Sequence, residues 1–548
     1  MIRAELARAL SDAVEAIVSA GQLPAADYPI EISEPKNPAH GDFASSFALT
    51  AAKFAGKSPA AIASLVVEQL SKLNWIESAS AAGPGFVNIR LSENYFCECA
   101  RDAFAAGSGI ARTSKPQPMR VNIEFVSVNP NGPIHVGHGR GAAFGDTLAR
   151  LLEASGDQVW REFYVNDGVN SLQMRLFAES VKARYRELLG LPFQFPDDGY
   201  KGDYVMEVAE RFLKEFGDSH PDDGLEFWQP HAQSMMLEIQ KRDLERFGVK
   251  FDCWFSEQSL HDDGSVSRDI DALRAKGELY EQDGALYLRS TAFGDDKDRV
   301  VVRADGRPTY IASDIAYHKN KFDRGFDHLI DVWGADHHGY VQRTRAAVRA
   351  LGYSEDRFEA IITQLVRFYE NGKLVEMSKR DGSMVTLAEL MDQVGPDVAR
   401  FFYLMRSHEA HMEFDLDLAR EHSERNPVYY VQYAHARICS LMARAKEQGL
   451  EADPNAIEHL ETPERELIKK IWDLPFEIAR AANDRAVHRV ATYITELAKQ
   501  YHDFYEKCRV ISPENPSRSA ARLALCEITR TAIREGLNLL GVSAPQQM

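Results

Sequence analysis

Val121-Asn-Ile-Glu-Phe-Val-Ser-Val-Asn-Pro-Asn-Gly-Pro-Ile-His135-Val-Gly-His138-Gly-Arg-Gly-Ala-Ala-Phe-Gly145-Asp146 decides the fold. Val121, Ile123, Phe125 and Val126 are β-branched or aromatic, and turn residues bound them, which predicts a buried strand. Asn129 to Pro133 cannot continue it, because two prolines and a glycine interrupt the chain. From Gly139 to Glu153 the apolar residues Ala142, Ala143, Leu148, Leu151 and Leu152 recur at helical spacing, and Gly156 suits the end of that helix. A second strand, Gln158 to Val165, runs into Asn166-Asp167-Gly168. Strand, turn, helix and strand make a βαβ unit. Such sheets bind ligands beyond the carboxyl ends of their strands, and phosphates favour helix N-termini. His135 and His138 fall at that turn, placed to donate to phosphate oxygens, and Gly137 leaves room for a base or ribose. A pair of histidines capping a helix, or holding a metal, uses the same residue types, but no third metal ligand stands nearby.

His135-Val-Gly-His138 resembles the HIGH motif of class I aminoacyl-tRNA synthetases, with Val in place of Ile. The longer string from Glu124 to Gly141 is similar to arginyl-tRNA synthetases in particular. Such enzymes carry a second motif far downstream, and Glu376-Met377-Ser378-Lys379-Arg380 resembles it, between Asn371-Gly372-Lys373 and Asp381-Gly382. The resemblance implies that His135, Gly137, His138, Asp336, Met377, Ser378 and Lys379 serve ATP, with His135, His138 and Lys379 catalytic. Lys379 would neutralise charge as pyrophosphate leaves. The family pattern begins with Lys where this chain has Glu376. A carboxylate there cannot bind phosphate, and Lys373 and Arg380 are the neighbouring cations.

A planar guanidinium with five N–H donors calls for carboxylates in bidentate reach. Glu124, Glu257 (in Trp-Phe-Ser-Glu-Gln-Ser) and Asp314 (in Tyr310-Ile-Ala-Ser-Asp) are the acidic candidates. By resemblance Glu257, Tyr310 and Asp314 would hold the guanidinium and Asn129 the α-amino end. His337, in Trp333-Gly-Ala-Asp336-His337-His338, would stand at the strand end that touches ribose and substrate. The implied chemistry is attachment of arginine to tRNA(Arg) through an arginyl-adenylate, with ATP and Mg2+ as substrate and with activation dependent on tRNA.

At 548 residues several domains are expected, and 27% charged with 45% hydrophobic residues is ordinary globular usage. Six cysteines form no CxxC pair, so no protein-bound zinc is expected and a reducing compartment is the simpler setting. The N-terminus reads as a charged amphipathic helix, not a signal peptide, and no apolar run reaches membrane-spanning length. A cytoplasmic monomer without membrane contact is expected. The net charge of −18 argues mildly against a nucleic-acid partner, although a contact face can be locally basic, and the tail from Arg465 is net positive.

Three parts are expected around a Rossmann-like parallel sheet, an α/β fold class. Residues 1–113 form an α+β unit before a Pro-rich linker, with a helix over Pro59–Leu73 and a strand over Gly85–Leu91. By resemblance this unit contacts the outer corner of tRNA. Residues 119–405 form the catalytic domain, with a largely helical insertion over about 170–300. Residues 406–548 form an all-α bundle that resembles the family's anticodon-binding domain. There Tyr429, Tyr433 and Arg437, with Tyr430, share helical spacing. They suit stacking on unpaired bases, and equally suit an aromatic seam between helices. Two other classes share some of these features. Small nucleotidylyltransferases share such histidines but are far shorter, and a non-catalytic synthetase-like RNA-binding paralogue is favoured only by Glu376.

Overall fold

A computed structural model describes every residue except Met1, Lys36, Val169, Asn170 and 376–385. Its centre is a five-stranded, wholly parallel sheet. The order is Phe358–Thr363, His328–Gly334, Arg120–Phe125, Gln158–Val165 and Cys253–Ser256. Val121, Ile123 and Phe125 are fully buried, as a parallel strand covered on both faces requires. The middle strand pairs Val121 with Val159 on one side and Ile123 with Ile330 on the other. The chain first builds one flank and much later the other, so the strand order reverses beside Arg120–Phe125. A cleft opens there, at the carboxyl edge.

The helix after the turn spans Val136–Ala154, three residues earlier than its apolar spacing predicts. Gly137, Gly139 and Gly141 look like breakers in sequence, yet the helix uses glycine as clearance. A Cβ on Gly139 would collide with Leu387 and Tyr403, and one on Gly145 would enter the space of the Phe125 ring. Glycine therefore lets helix and strand approach closely, which outweighs its poor helix propensity.

Between the halves, the helices Leu172–Leu188, Asp203–Phe216 and Leu225–Arg246 close on their own apolar cluster, including Phe177, Phe212 and Trp228. The stretch to about 300 is helical only in part, with the helices Glu257–Asp262 and Ser265–Ala275 set between strands. Cys253–Ser256 returns to the main sheet, and Leu279–Gln282, Ala285–Leu288 and Arg299–Val302 form a small antiparallel sheet.

Residues near the N-terminus pair three antiparallel strands, Phe43–Ser45, Phe86–Leu91 and Ile76–Ala82, against helices. The expected helix runs Pro59–Leu70, capped by Ser58, whose hydroxyl accepts the Ala61 N–H at 3.3 Å. Beyond Met405 the chain is not yet wholly helical. Met412–Asp415 pairs in parallel with Val366–Glu370 and buries Met412 and Phe414. The helical bundle then follows as Pro427–Glu447, Thr462–Trp472, Leu474–Asn483, His488–Lys507 and Pro516–Leu539. Among the described residues no helix is long and apolar enough to cross a membrane.

Candidate active site

The histidine turn, Glu257 and the Asp336–His337 pair each follow the carboxyl end of a strand of the central sheet, and the helix Tyr310–Asp323 brings Asp314 close to Glu257. Val126 and Ser127 follow the middle strand in left-handed conformation, with φ 71° and 42°. Neither is glycine, so this backbone is held against its preference, as at many functional turns. The Ser127 hydroxyl helps hold it by accepting the Tyr164 N–H at 3.0 Å. The long helix Leu225–Arg246 braces the next turn, where the Gln240 amide donates to the carbonyls of Asn129 (3.0 Å) and Gly132 (2.7 Å). Asn129 itself donates to Gln173 at 2.6 Å.

His135 is the N-cap of the helix Val136–Ala154, and its Nδ1 accepts the Gly137 N–H at 3.0 Å. An accepting Nδ1 carries no hydrogen, so the ring's proton sits on Nε2. Gly137 and His138 are exposed, and the two rings lie 6.1 Å apart. The turn thus presents two imidazoles and the positive end of the helix on one exposed face, a setting suited to an anion.

Glu376, Met377, Ser378 and Lys379 lie outside the described residues. Their neighbourhood is informative even so. Thr386 bridges to His135 in antiparallel fashion, and the Leu387 N–H donates to the Ile134 carbonyl at 2.7 Å. The chain leaving the second motif is therefore bonded to the histidine turn, although some 250 residues separate the two in sequence.

Across the cleft sit the carboxylates. Glu257 opens a short helix directly after the strand Cys253–Ser256 and is 9% exposed. Burial, and then the charge of Asp314, raise its carboxyl to about 7. Burial likewise raises Asp314 to about 6, with Glu124 adding to the rise and His318 and Arg343 opposing it. Two neighbouring acids that both resist ionisation form a site short of one cation. Tyr310, one helical turn before Asp314, is 73% exposed.

Glu124 lies deeper. It is 6% exposed and accepts from Lys321 Nζ at 2.7 Å, while the same ammonium donates to Asp331 at 2.9 Å. Its carboxylate is thus already paired beneath the pocket. At the end of the strand His328–Gly334, Asp336 and His337 are exposed, 3.6 Å apart.

Several contributors escaped the sequence reading. Asp167 accepts the Ser256 hydroxyl (2.6 Å) and the Gln258 N–H (3.0 Å), and its charge also bears on Glu257. Its place after a strand was the available sign. Lys321, His318 and Asp331 gave none, since their pairing exists only in the folded chain. On the far bundle, Tyr429, Tyr433 and Arg437 are half-buried. Arg437 covers the Tyr505 ring at 4.3 Å and Tyr433 lies against His502. These contacts belong to an aromatic seam with one edge open.

The arrangement has counterparts among known proteins. Three family models match: the arginyl tRNA synthetase N-terminal domain over residues 1–91, the catalytic domain of class I (R) tRNA synthetases over 105–400, and the DALR anticodon binding domain over 431–548. The arginine–tRNA ligase of Bacillus subtilis is 44% identical over 541 residues, 97% of each chain. That of Carboxydothermus hydrogenoformans is 45% identical over 544 residues, again 97% of each. A structure described as a putative arginyl-tRNA synthetase from Campylobacter jejuni superposes with TM-score 0.77 at 32% identity, covering 84% of this chain and all of that one. Thermus thermophilus arginyl-tRNA synthetase matches both chains in full with TM-score 0.77, and at 22% identity this likeness speaks for the fold alone. Catalytic sheet, flanking modules and near-complete coverage all agree, and the chain belongs to the arginyl-tRNA synthetase family.

Proposed function

We infer that this chain is an arginine–tRNA ligase, which uses ATP to attach L-arginine to tRNA. The observation that carries the choice of amino acid is the Glu257–Asp314 pair, two neighbouring carboxyls, one after a strand end and one on a helix, both raised by burial. A guanidinium bridging them would restore both charges and pair with both. In this reading Tyr310 closes over the guanidinium, Asn129 receives the α-amino group, and Glu124 sets the pocket's potential through its bond to Lys321. His337 and Asp336 attend the ribose.

In the first step an arginine carboxylate oxygen attacks the α-phosphorus of ATP. The bond to the bridging oxygen breaks and pyrophosphate leaves with that electron pair. His135, through Nε2–H, and His138 stabilise the phosphate oxygens, and Ser378 and Lys379 offset the charge on the leaving group. Gly137 gives the nucleotide room, and Met377 belongs to the same ATP-facing segment. Magnesium enters as the counter-ion that ATP brings. In the second step a terminal ribose hydroxyl of tRNA attacks the acyl carbon and AMP departs. No protein nucleophile is required, so catalysis is positioning and charge stabilisation. Residues 1–113 would grip the outer corner of tRNA(Arg), 119–405 perform the chemistry, and 406–548 hold the anticodon, with Tyr429, Tyr433 and Arg437 at the open edge of the seam. The setting is the cytoplasm, away from membranes, and the working unit a monomer.

Pyrophosphate exchange against all twenty amino acids, with and without tRNA, tests this. Exchange with arginine alone, and only with tRNA present, is expected. Exchange with another amino acid would overturn the pocket assignment. Lys379→Ala should slow adenylate formation by about 100- to 1,000-fold and leave tRNA binding unchanged. Undiminished exchange in that variant would remove Lys379 from the chemistry.

A further inference from the structure

The last residues do not end loosely on the bundle. After the helix Pro516–Leu539, the Leu540 carbonyl accepts from Arg400 Nε at 2.9 Å. Gly541, at φ 68°, lies so close to the Arg400 guanidinium that a Cβ has no space. The Ser543 N–H donates to Asp397 at 3.1 Å, and its hydroxyl donates to the other Asp397 oxygen. From the helix Pro427–Glu447, the Gln432 amide donates to both Asp397 (3.0 Å) and the Ser543 carbonyl (3.0 Å), and His435 Nδ1 meets the Pro545 carbonyl at 2.8 Å. The segment Leu540–Pro545 is thus bolted between that helix and the helix Pro396–Leu404, which carries Asp397 and Arg400.

The second helix leads to the chemistry. Arg400, 1% exposed, also donates to Asp146 (2.6 Å) on the histidine helix and to the Phe247 carbonyl (3.0 Å) at the end of the insertion. One turn on, the Tyr403 hydroxyl donates to the Val136 carbonyl at 2.7 Å, the residue after His135, and its ring fills the space beside Gly139. One guanidinium therefore binds the chain end, the histidine helix and the insertion at once, with its donors in a rigid fork.

We propose that Asp397 and Arg400 are positioning residues through which seating of tRNA on the helical bundle is felt at the histidine turn, with Leu540–Pro545 as the connecting bolt. The proposal rests on the reading that the chain charges tRNA and that its bundle holds the anticodon. A small rotation of the helix Pro427–Glu447 pulls Ser543 and Pro545, the bolt shifts Asp397 and Arg400, and Asp146 and Val136 follow. Such a link is a coupling between two sites and is measured as one.

The test is a double cycle. Asp397→Asn and Ser543→Ala alter the outer end of the bolt, where unfolding is least to be feared, while Arg400→Lys and Arg400→Gln address the hub. Each is assayed with tRNA(Arg) transcript and with a transcript changed at one anticodon base. Expected are a tRNA dissociation constant within about threefold of the parent protein's and a kcat for charging lowered by about tenfold or more. In Asp397→Asn the anticodon change should cause no further loss in kcat, and Arg400→Lys should retain more kcat than Arg400→Gln. Losses that simply multiply would overturn the coupling. So would equal falls in tRNA affinity and thermal midpoint alongside kcat, since these mark a merely structural contact. Failure of the parent protein to charge either transcript would instead sink the functional reading, which keeps the two failures apart.

Discussion

Glu257 and Asp314 carry a pH signature. Their carboxyls are held at about 7 and about 6, and if the pair seats the guanidinium as proposed, its binding displaces the protons they hold. Arginine should therefore bind more tightly as pH rises through that window and level off above it. With one proton displaced, kcat/KM for arginine is expected to rise about tenfold between roughly pH 5.5 and 7.5. A flat profile there would show that the pair is not the guanidinium's seat. Glu257→Gln should flatten the rise and weaken arginine by about 1.5–3 kcal/mol, roughly 10- to 150-fold in KM. Stability should move the other way. A carboxyl whose folded value is raised holds more protons in the folded state, so its contribution is lost as pH climbs from the ordinary carboxylate value through the raised one. Without arginine at pH 8, Glu257→Gln should melt no lower than the parent protein. Added arginine should raise the parent's melting temperature more than the variant's.

The helix Tyr310–Asp323 shows how an element is held to its task. It presents Tyr310 and Asp314 to the cleft from one end, and its underside is locked to neighbouring strands. Lys321, 0% exposed, bonds Glu124 and Asp331 on adjacent strands. His318 Nε2 meets Asp331 at 3.0 Å, and Tyr317 and Arg324 both reach Glu162 on a third. Lys321 and His318 hold Asp331 down to about 2 against the burial that opposes its charge. Removing the central cation leaves two buried carboxylates, so Lys321→Met is expected to cost about 3–5 kcal/mol in chemical denaturation. Adding Glu124→Gln and Asp331→Asn should recover part of it, whereas a loss that grew further would mean the ion pairs are incidental. The same helix marks what could be read in advance. The strand, glycine turn and histidine helix were legible because periodicity and turn chemistry are local. Glu257 and Asp314 were singled out by their strings, and the folded chain brings the two carboxyls close together. Lys321 was not, because its partner Glu124 lies 197 residues away and a lysine in a helix usually means solvent. The early start of the histidine helix was hidden too, since glycine reads as a breaker until Phe125 and Tyr403 are seen to need the room.

Across the whole molecule, the N-terminal module rests on the C-terminal bundle. Arg3 bonds Asp473 at 2.6 Å and lies over the rings of Phe43 (5.3 Å) and Phe476 (5.6 Å). Trp472 Nε1 donates to the Cys99 carbonyl at 2.8 Å, the Leu460 N–H to Glu93 at 2.9 Å, and Arg101 to the Ile457 carbonyl at 3.1 Å. Residues some 360 to 470 apart thus fix one face, and apolar side chains from both modules join the large core shared with the sheet. If the two modules grip opposite ends of one tRNA, their mutual angle must suit its fixed shape, and a loosened joint taxes binding by the fraction of molecules at the right angle. Arg3→Ala removes the ion pair to Asp473 and the contact with the Phe476 ring at this joint while leaving every residue of the cleft in place. It should raise KM for tRNA about 3- to 10-fold, with KM for ATP and arginine unchanged at saturating tRNA. An unaltered KM for tRNA in a variant whose modules separate more readily on limited proteolysis would mean that each module binds independently. A change in KM for arginine instead would mean that the joint, like the bolt at Leu540–Pro545, reaches the chemistry.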